Sequence, residues 1–164
     1  MQAERQLSSQ TDFGPRFRDF LPEDVDSVVA LGDRFFRESE FKKFSKYSPE
    51  HFRHVLNASF HTPAMHGFVF EDDDKIKGFL FYQLDISYTE DPIALMWLFY
   101  VVPKYRKSPV GRELLSIAEN HAKACGATAF YAGSMSGIDR VKNSLKNLYT
   151  KAGFKELWWG RKIL

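Results

Sequence analysis

Apolar and polar positions repeat with two different periods along the chain, and the switches between them mark the elements. Arg16-Phe17-Arg18-Asp19-Phe20 alternates as a short strand does, and Pro22-Glu23-Asp24 then opens a helix with proline and acids in its first turn. Val25, Val28, Val29, Phe35 and Phe36 recur at helical spacing, which carries this helix to about Ser39. Phe41-Lys42-Lys43-Phe44-Ser45-Lys46-Tyr47 has neither period and reads as a loop. Ser48-Pro49-Glu50 provides a cap, a first-turn proline and an acid for a second helix, whose inner face is Phe52, Val55 and Leu56. Period two returns in Gly67–Glu71 and Ile76–Ile86 around the turn Asp72-Asp73-Asp74-Lys75, which predicts a hairpin. Leu80, Tyr82, Leu84 and Ile86 share one face of its second strand, and Phe79, Phe81, Gln83 and Asp85 the other.

The strongest signal is the unbroken apolar run Ile93–Val102, ended by Pro103 and reached after the breaker Tyr88–Pro92. It predicts a buried strand. A basic turn follows, and from Pro109 onward Val110, Leu114, Leu115, Ala118, Ala122 and Cys125 place an apolar stripe on a helix that Gly126 ends. Thr128–Ala132 is a short strand, so strand, helix and strand imply parallel pairing with a right-handed crossover. Val141, Leu145, Leu148 and Ala152 predict the inner face of a last helix stopped by Gly153, and Lys155–Ile163 a terminal strand. The class is α/β.

Composition narrows this. With 164 residues, 44% of them hydrophobic and 16 phenylalanines, the chain suits one domain over 15–164 with a real core. Residues 1–14 are polar and read as a disordered leader without a signal-peptide core. No apolar run approaches the roughly 18 residues of a membrane span, and the single cysteine suits a reducing compartment, so a cytoplasmic protein with no membrane partner is expected. Cys125, on the helix stripe, reads as a small core residue. The net charge of +2 disfavours a nucleic-acid partner, despite the basic, aromatic segment 41–47. His51, His54 and His61 stand at spacings that can share a metal, yet without H-E-x-x-H they read as surface histidines, and no metal is expected. Neither G-x-x-x-x-G-K-[ST] nor G-x-G-x-x-G occurs.

The candidate chemistry lies at the helix that starts after Pro109. Its first-turn N–H groups lack intrahelical partners, its dipole is positive there, and Arg106, Lys107 and Arg112 add charge, which together favour a bound anion such as a phosphate. Ser108 is either an N-cap or a direct phosphate contact. The segments Tyr100-Val101-Val102-Pro103 and Tyr105-Arg106-Lys107-Ser108-Pro109-Val110-Gly111-Arg112 resemble the coenzyme A pyrophosphate loop of the GNAT superfamily of N-acetyltransferases, with Pro109 in place of the loop's first glycine. Leu148-Tyr149-Thr150-Lys151-Ala152-Gly153-Phe154 is similar to that family's L-Y-x-K-x-G-F. Lys77-Gly78-Phe79 resembles its third strand, and the loop's Tyr-Arg-x-Ser is similar to phage-encoded members.

The resemblance spans about residues 15–160. It implies a mixed, mostly antiparallel sheet of about six to seven strands flanked by about four helices. It also implies transfer of the acetyl group of acetyl-CoA to a primary amine of an unidentified acceptor, small molecule or protein, by direct attack. Coenzyme contacts would come from Tyr100, Val101, Arg106, Lys107, Ser108, Val110, Gly111 and Arg112. Asn143 would add another, although the family's asparagine falls at Lys142. The backbone N–H of Val101 or its neighbour would polarise the thioester carbonyl, and Tyr149 would protonate the leaving thiolate, unless it merely packs beside the coenzyme or core. The strand glutamate of many relatives falls at Trp97 and Leu98, so the base is left to Asp85, Glu90 or a water relay, or the acceptor arrives already neutral. Trp97 suggests an apolar wall instead. The alternative is a non-catalytic module of the same fold that binds a partner protein, which Pro109 and the missing glutamate favour. A homodimer stays open.

Overall fold

In the computed structural model, which describes residues 17–87, 89–134 and 136–156, the elements run in the expected order. They are β1 (Phe17–Asp19), α1 (Val25–Glu38), α2 (Pro49–Ser59), β2 (Met65–Asp72), β3 (Lys75–Asp85), β4 (Ile93–Val101), α3 (Val110–Ala124), β5 (Ala129–Tyr131) and α4 (Asp139–Lys151). The strands lie side by side in chain order, antiparallel from β1 to β4 and parallel between β4 and β5. The β2–β3 turn uses Asp73 and Asp74 at φ 52° and 53°, the left-handed pair that a two-residue hairpin needs and that aspartate tolerates.

Alternation along β3 divides the core in two. Leu80 and Tyr82 join Val110, Leu114, Leu115, Ala118 and Ala122 of α3 on one face. Phe79 and Phe81 join Val25, Val28 and Val29 of α1 and Leu56 of α2 on the other. Both faces are buried, which is why these strands read as nearly continuous apolar runs. At the entry to α1, Arg18 holds Asp24 through bonds of 2.6 and 2.9 Å and also reaches Glu71, while Asp24 accepts the Leu21 N–H at 2.9 Å. These contacts pin β1 and β2 to the helix start.

Several expectations need correction. Five strands are described rather than six to seven; the leader and most of the terminal strand at 155–163 lie outside the described residues. Pro109 is the N-cap of α3 rather than its first residue. The supposed loop at Phe41 starts with a 3-10 turn, Glu40–Lys43, because Ser39 caps it by accepting the Phe41 N–H. Ile86 is 70% exposed, since β3 ends one residue earlier. Cys125 is exposed rather than core, because α3 ends at Ala124 and the cysteine is its C-cap. Of the α4 stripe, Val141, Leu145 and Leu148 are only half-buried and Ala152 is exposed, with Leu148 and Tyr149 against the α3-side cluster.

Candidate active site

The sheet opens where β4 and β5 part. They pair only at Ile93, Ala94 and Leu95 against Ala129, Phe130 and Tyr131. Just beyond, the β3–β4 register steps from Tyr82↔Met96 to Phe81↔Leu98, so Trp97 is an extra residue that bulges β4 and sharpens its twist. The rest of β4, to Val101, has no β5 partner among the described residues, and this unpaired edge, facing the chain that follows β5, is called the wedge below.

Ladder geometry decides which backbone groups face that wedge. The Val102 N–H donates to Lys77 O at 2.9 Å. In an antiparallel ladder bonded and non-bonded pairs alternate, so Gly78↔Val101 is a non-bonded pair and the Val101 N–H and C=O point away from β3. Tyr100 is opposite in sense, with its backbone groups turned toward Phe79. Of the two, Val101 is therefore the residue whose N–H is available at the wedge.

The loop into α3 is a run of tight turns: Tyr105 N–H to Val102 O, Arg106 N–H to Pro103 O and Ser108 N–H to Tyr105 O. At its end the first-turn N–H groups of Gly111 and Arg112 have no intrahelical acceptor. A Cβ placed on Gly111 would lie 3.5 Å from the Phe99 ring and 3.7 Å from Leu148. The start of α3, the end of β4 and α4 therefore converge on one spot.

The loop side chains are largely engaged within the protein. Arg106 donates from Nε to Val101 O at 2.7 Å and from a terminal nitrogen to Glu38 at 2.5 Å, and its guanidinium lies 5.2 Å from the centroid of the Tyr100 ring. The Tyr100 hydroxyl donates to the other Glu38 oxygen at 3.0 Å; burial and that carboxylate push it up to about 12. The Arg106 and Tyr100 side chains, expected as coenzyme contacts, clamp the end of β4 to the end of α1. Glu38 was not visible in the sequence, being one acid among many at a helix end. Ser108, expected as N-cap or phosphate contact, precedes the Pro109 cap; its hydroxyl donates to Tyr105 O at 2.6 Å, with Val110 N–H 3.4 Å away. Lys107 and Arg112 are exposed beside the helix start, and Asn143 is exposed on α4. Its neighbour Lys142 pairs with Glu40 at 3.6 Å and Asp139 at 3.7 Å.

The Tyr149 hydroxyl donates to Gly133 O at 3.1 Å, just past the end of β5, and its ring packs on Phe154. Burial pushes this phenol well above the usual tyrosine range. Both candidates for the base, Asp85 and Glu90, lie far along β4 from Val101. Asp85 pairs with Ile93, which puts it about 26 Å along β4 from Val101 at the rise of an extended strand. Its carboxylate is held below the usual range by hydrogen bonds from the Ser87 hydroxyl and, next, from the Ser87 N–H at 2.8 Å. Glu90 lies in the connection at the same far end. Trp97 packs on Phe81 on the α1 side, as an apolar wall should.

One more link crosses the site. Ser39 pairs with Ser136, and the Gly137 N–H donates to Glu38 O at 2.7 Å. The end of α1 is thereby strapped to the linker between β5 and α4. A Cβ on Gly137 would meet Ser39 O at 3.1 Å, so glycine permits the approach.

Comparison with known proteins agrees with this geometry. The structure is similar to an acetyltransferase of Trypanosoma brucei, with TM-score 0.69 and 16% identity over 90% of this chain and 96% of that one. It is similar to an aminoglycoside 6'-N-acetyltransferase of Acinetobacter haemolyticus, with TM-score 0.66 and 17% identity over 90% and 97%. It is also similar to a predicted acetyltransferase of Clostridium acetobutylicum, solved with acetyl-CoA, with TM-score 0.70 and 13% identity over 89% and 94%. At these identities the likeness concerns the fold. No curated protein matches the chain in sequence. The model of the acetyltransferase (GNAT) family matches residues 33–154, most of the chain and all of the wedge, and the protein belongs to that family.

Proposed function

We propose that this protein transfers the acetyl group of acetyl-CoA to a primary amine by direct attack, within the wedge between β4 and β5. The observation that carries the reading is the Val101 N–H, turned away from β3 beside the free N–H groups that open α3. The pyrophosphate binds the start of α3, where backbone donors, the helix dipole, Lys107 and Arg112 act together. The thioester carbonyl accepts from Val101 N–H, which stabilises the charge that develops on its oxygen. Tyr149 leaves Gly133 O and gives its proton to the departing thiolate, while the amine proton leaves through water.

We place the acceptor beside the segment that follows α1, which carries exposed Lys42 and Lys46 and Lys43 paired with Glu40 at 2.7 Å. That charge disfavours a polycationic acceptor of the aminoglycoside kind, and amines that are neutral elsewhere or carry an acidic group fit it better.

Titration of the purified protein with acetyl-CoA and with desulfo-CoA tests the reading. Micromolar binding of both, followed by acetylation of an amine from a panel of peptides, amino acids and amino sugars, is expected. No binding at millimolar coenzyme would remove the enzyme reading and leave the non-catalytic, partner-binding alternative. Pro109 and the engaged Arg106 and Ser108 side chains are the features that favour that alternative.

A further inference from the structure

Near the opposite end of α3 from the wedge, three side chains of metal-binding chemistry meet. His66 on β2, His121 in the last turn of α3 and Cys125 at its C-cap each offer a donor atom, and these atoms lie within 4.8 Å of one another. His121 and Cys125 are one helical turn apart, with Sγ 3.6 Å from Nδ1. The His66 ring faces them from the sheet, its centroid 4.7 Å from that of His121. Zinc bonds of about 2.0–2.3 Å set tetrahedral donors about 3.4–3.6 Å apart. Side-chain rotations that move the donors by about 1 Å would therefore close this cluster on an ion.

A second observation points the same way. His66 Nε2 is buried and has no hydrogen-bond partner, a condition that native interiors rarely leave unresolved. The Tyr82 hydroxyl lies 2.7 Å from His121 Nδ1 and also reaches Cys125, so it can turn its hydrogen bond to the sulfur. A cavity of about 270 Å³ lined by Asp19, Phe60, Met65, His66 and His121 opens onto the cluster, with room for a water or for the Asp19 carboxylate. The site is about 15 Å along α3 from Gly111, at 1.5 Å per residue, and so is separate from the wedge.

We propose that His66, His121 and Cys125 bind a zinc ion whose fourth position faces this cavity. Two imidazoles and a thiolate select zinc over magnesium or calcium. As the zinc–sulfur bond forms, the Cys125 thiol releases its proton to solvent, and the imidazoles bind neutral. The ion ties β2 to the end of α3. The sequence pointed elsewhere: it gave no reason to expect a metal, and the histidines it brought forward, His51, His54 and His61, are outside this cluster.

The full chain, stripped with chelator and dialysed, is titrated with zinc chloride and with cobalt chloride as a spectroscopic probe. One ion per chain is expected, with a thiolate-to-cobalt charge-transfer band that zinc abolishes. Cys125 is exposed, so Cys125→Ser should fold with an unchanged melt in chelator and lose the band. His66→Gln and His121→Gln should each weaken zinc binding at least about tenfold, the lower end of what loss of a supporting group costs. The proposal is overturned by absent stoichiometric binding at about 0.1 mM zinc, far above the affinities of three-ligand protein sites. It is equally overturned if His66→Gln and His121→Gln bind zinc as tightly as the parent chain, because the ion would then be held without the imidazoles.

Discussion

Arg106 and Tyr149 have side chains that already hold partners inside the protein, and this sets what their removal should do. Arg106 is engaged by Glu38 and Val101 O. Arg106→Ala should therefore weaken coenzyme binding by loosening the loop, with the salt dependence of binding unchanged. Lys107→Ala or Arg112→Ala, which remove exposed charge, should flatten that salt dependence. Isothermal titration at two ionic strengths separates the two outcomes, and a reduced slope in Arg106→Ala would place its guanidinium on the phosphates instead. Tyr149→Phe should retain coenzyme affinity and lower kcat by about 10²- to 10⁴-fold, the range of a positioned proton donor. Because burial raises the Tyr149 phenol, it stays protonated through neutral and mildly alkaline pH, and raising pH should not remove the acid below about pH 10. An alkaline limb of kcat below that value that vanishes in Tyr149→Phe would show that the phenol is not raised, whereas unchanged turnover in Tyr149→Phe would remove Tyr149 from the chemistry.

At the scale of elements, periodicity made most of the fold legible, because α3 and the β2–β3 hairpin each bury one pattern of residues against the other. What periodicity could not reveal were features fixed by contacts distant in sequence. The Trp97 bulge exists only relative to the register of β3, and Glu38 acquires meaning only once Tyr100 and Arg106 are folded onto it. Cys125 kept step with the α3 stripe, yet the helix ends one residue before it. The turn before α3 was readable from its residues, whereas the distance of Asp85 and Glu90 from Val101 needed the strand register. The contact of α1 with α2 was equally hidden. A Cβ on Gly32 would come within 2.6 Å of both the Phe52 ring and the Tyr47 hydroxyl, which itself donates to Val29 O. Alanine is the better helix former by about 1 kcal/mol, but overpacking costs about 1–3 kcal/mol. Loss of the tyrosine bond adds about 0.5–1.5 kcal/mol. Gly32→Ala should therefore lower Tm by several degrees, and a raised Tm would show that α1 and α2 can move apart freely.

For the molecule as a whole, among the described residues no helix is long and apolar enough to cross a membrane. The two layers of core meet through β3, which sits between β2 and β4 and faces both clusters. The side-by-side order of the strands, the same in space as along the chain, has a kinetic consequence. Closing β2 on β3 needs only a two-residue turn, and β4 follows through one short connection, so little loop entropy opposes the central meander. Chains whose contacts are local reach their transition state early and quickly. We expect β2, β3 and β4 to form the nucleus with α3 docking on it, and the three-residue β1 and β5 to join late. Native-state hydrogen exchange should then find the slowest amides in β3 and opening at β5 well below the global unfolding free energy. Equal protection across all five strands would mean that the sheet forms in one step. If β5 does open first, the strand that bounds the wedge is also the cheapest to release, and admission of a long ligand there requires no unfolding of the rest.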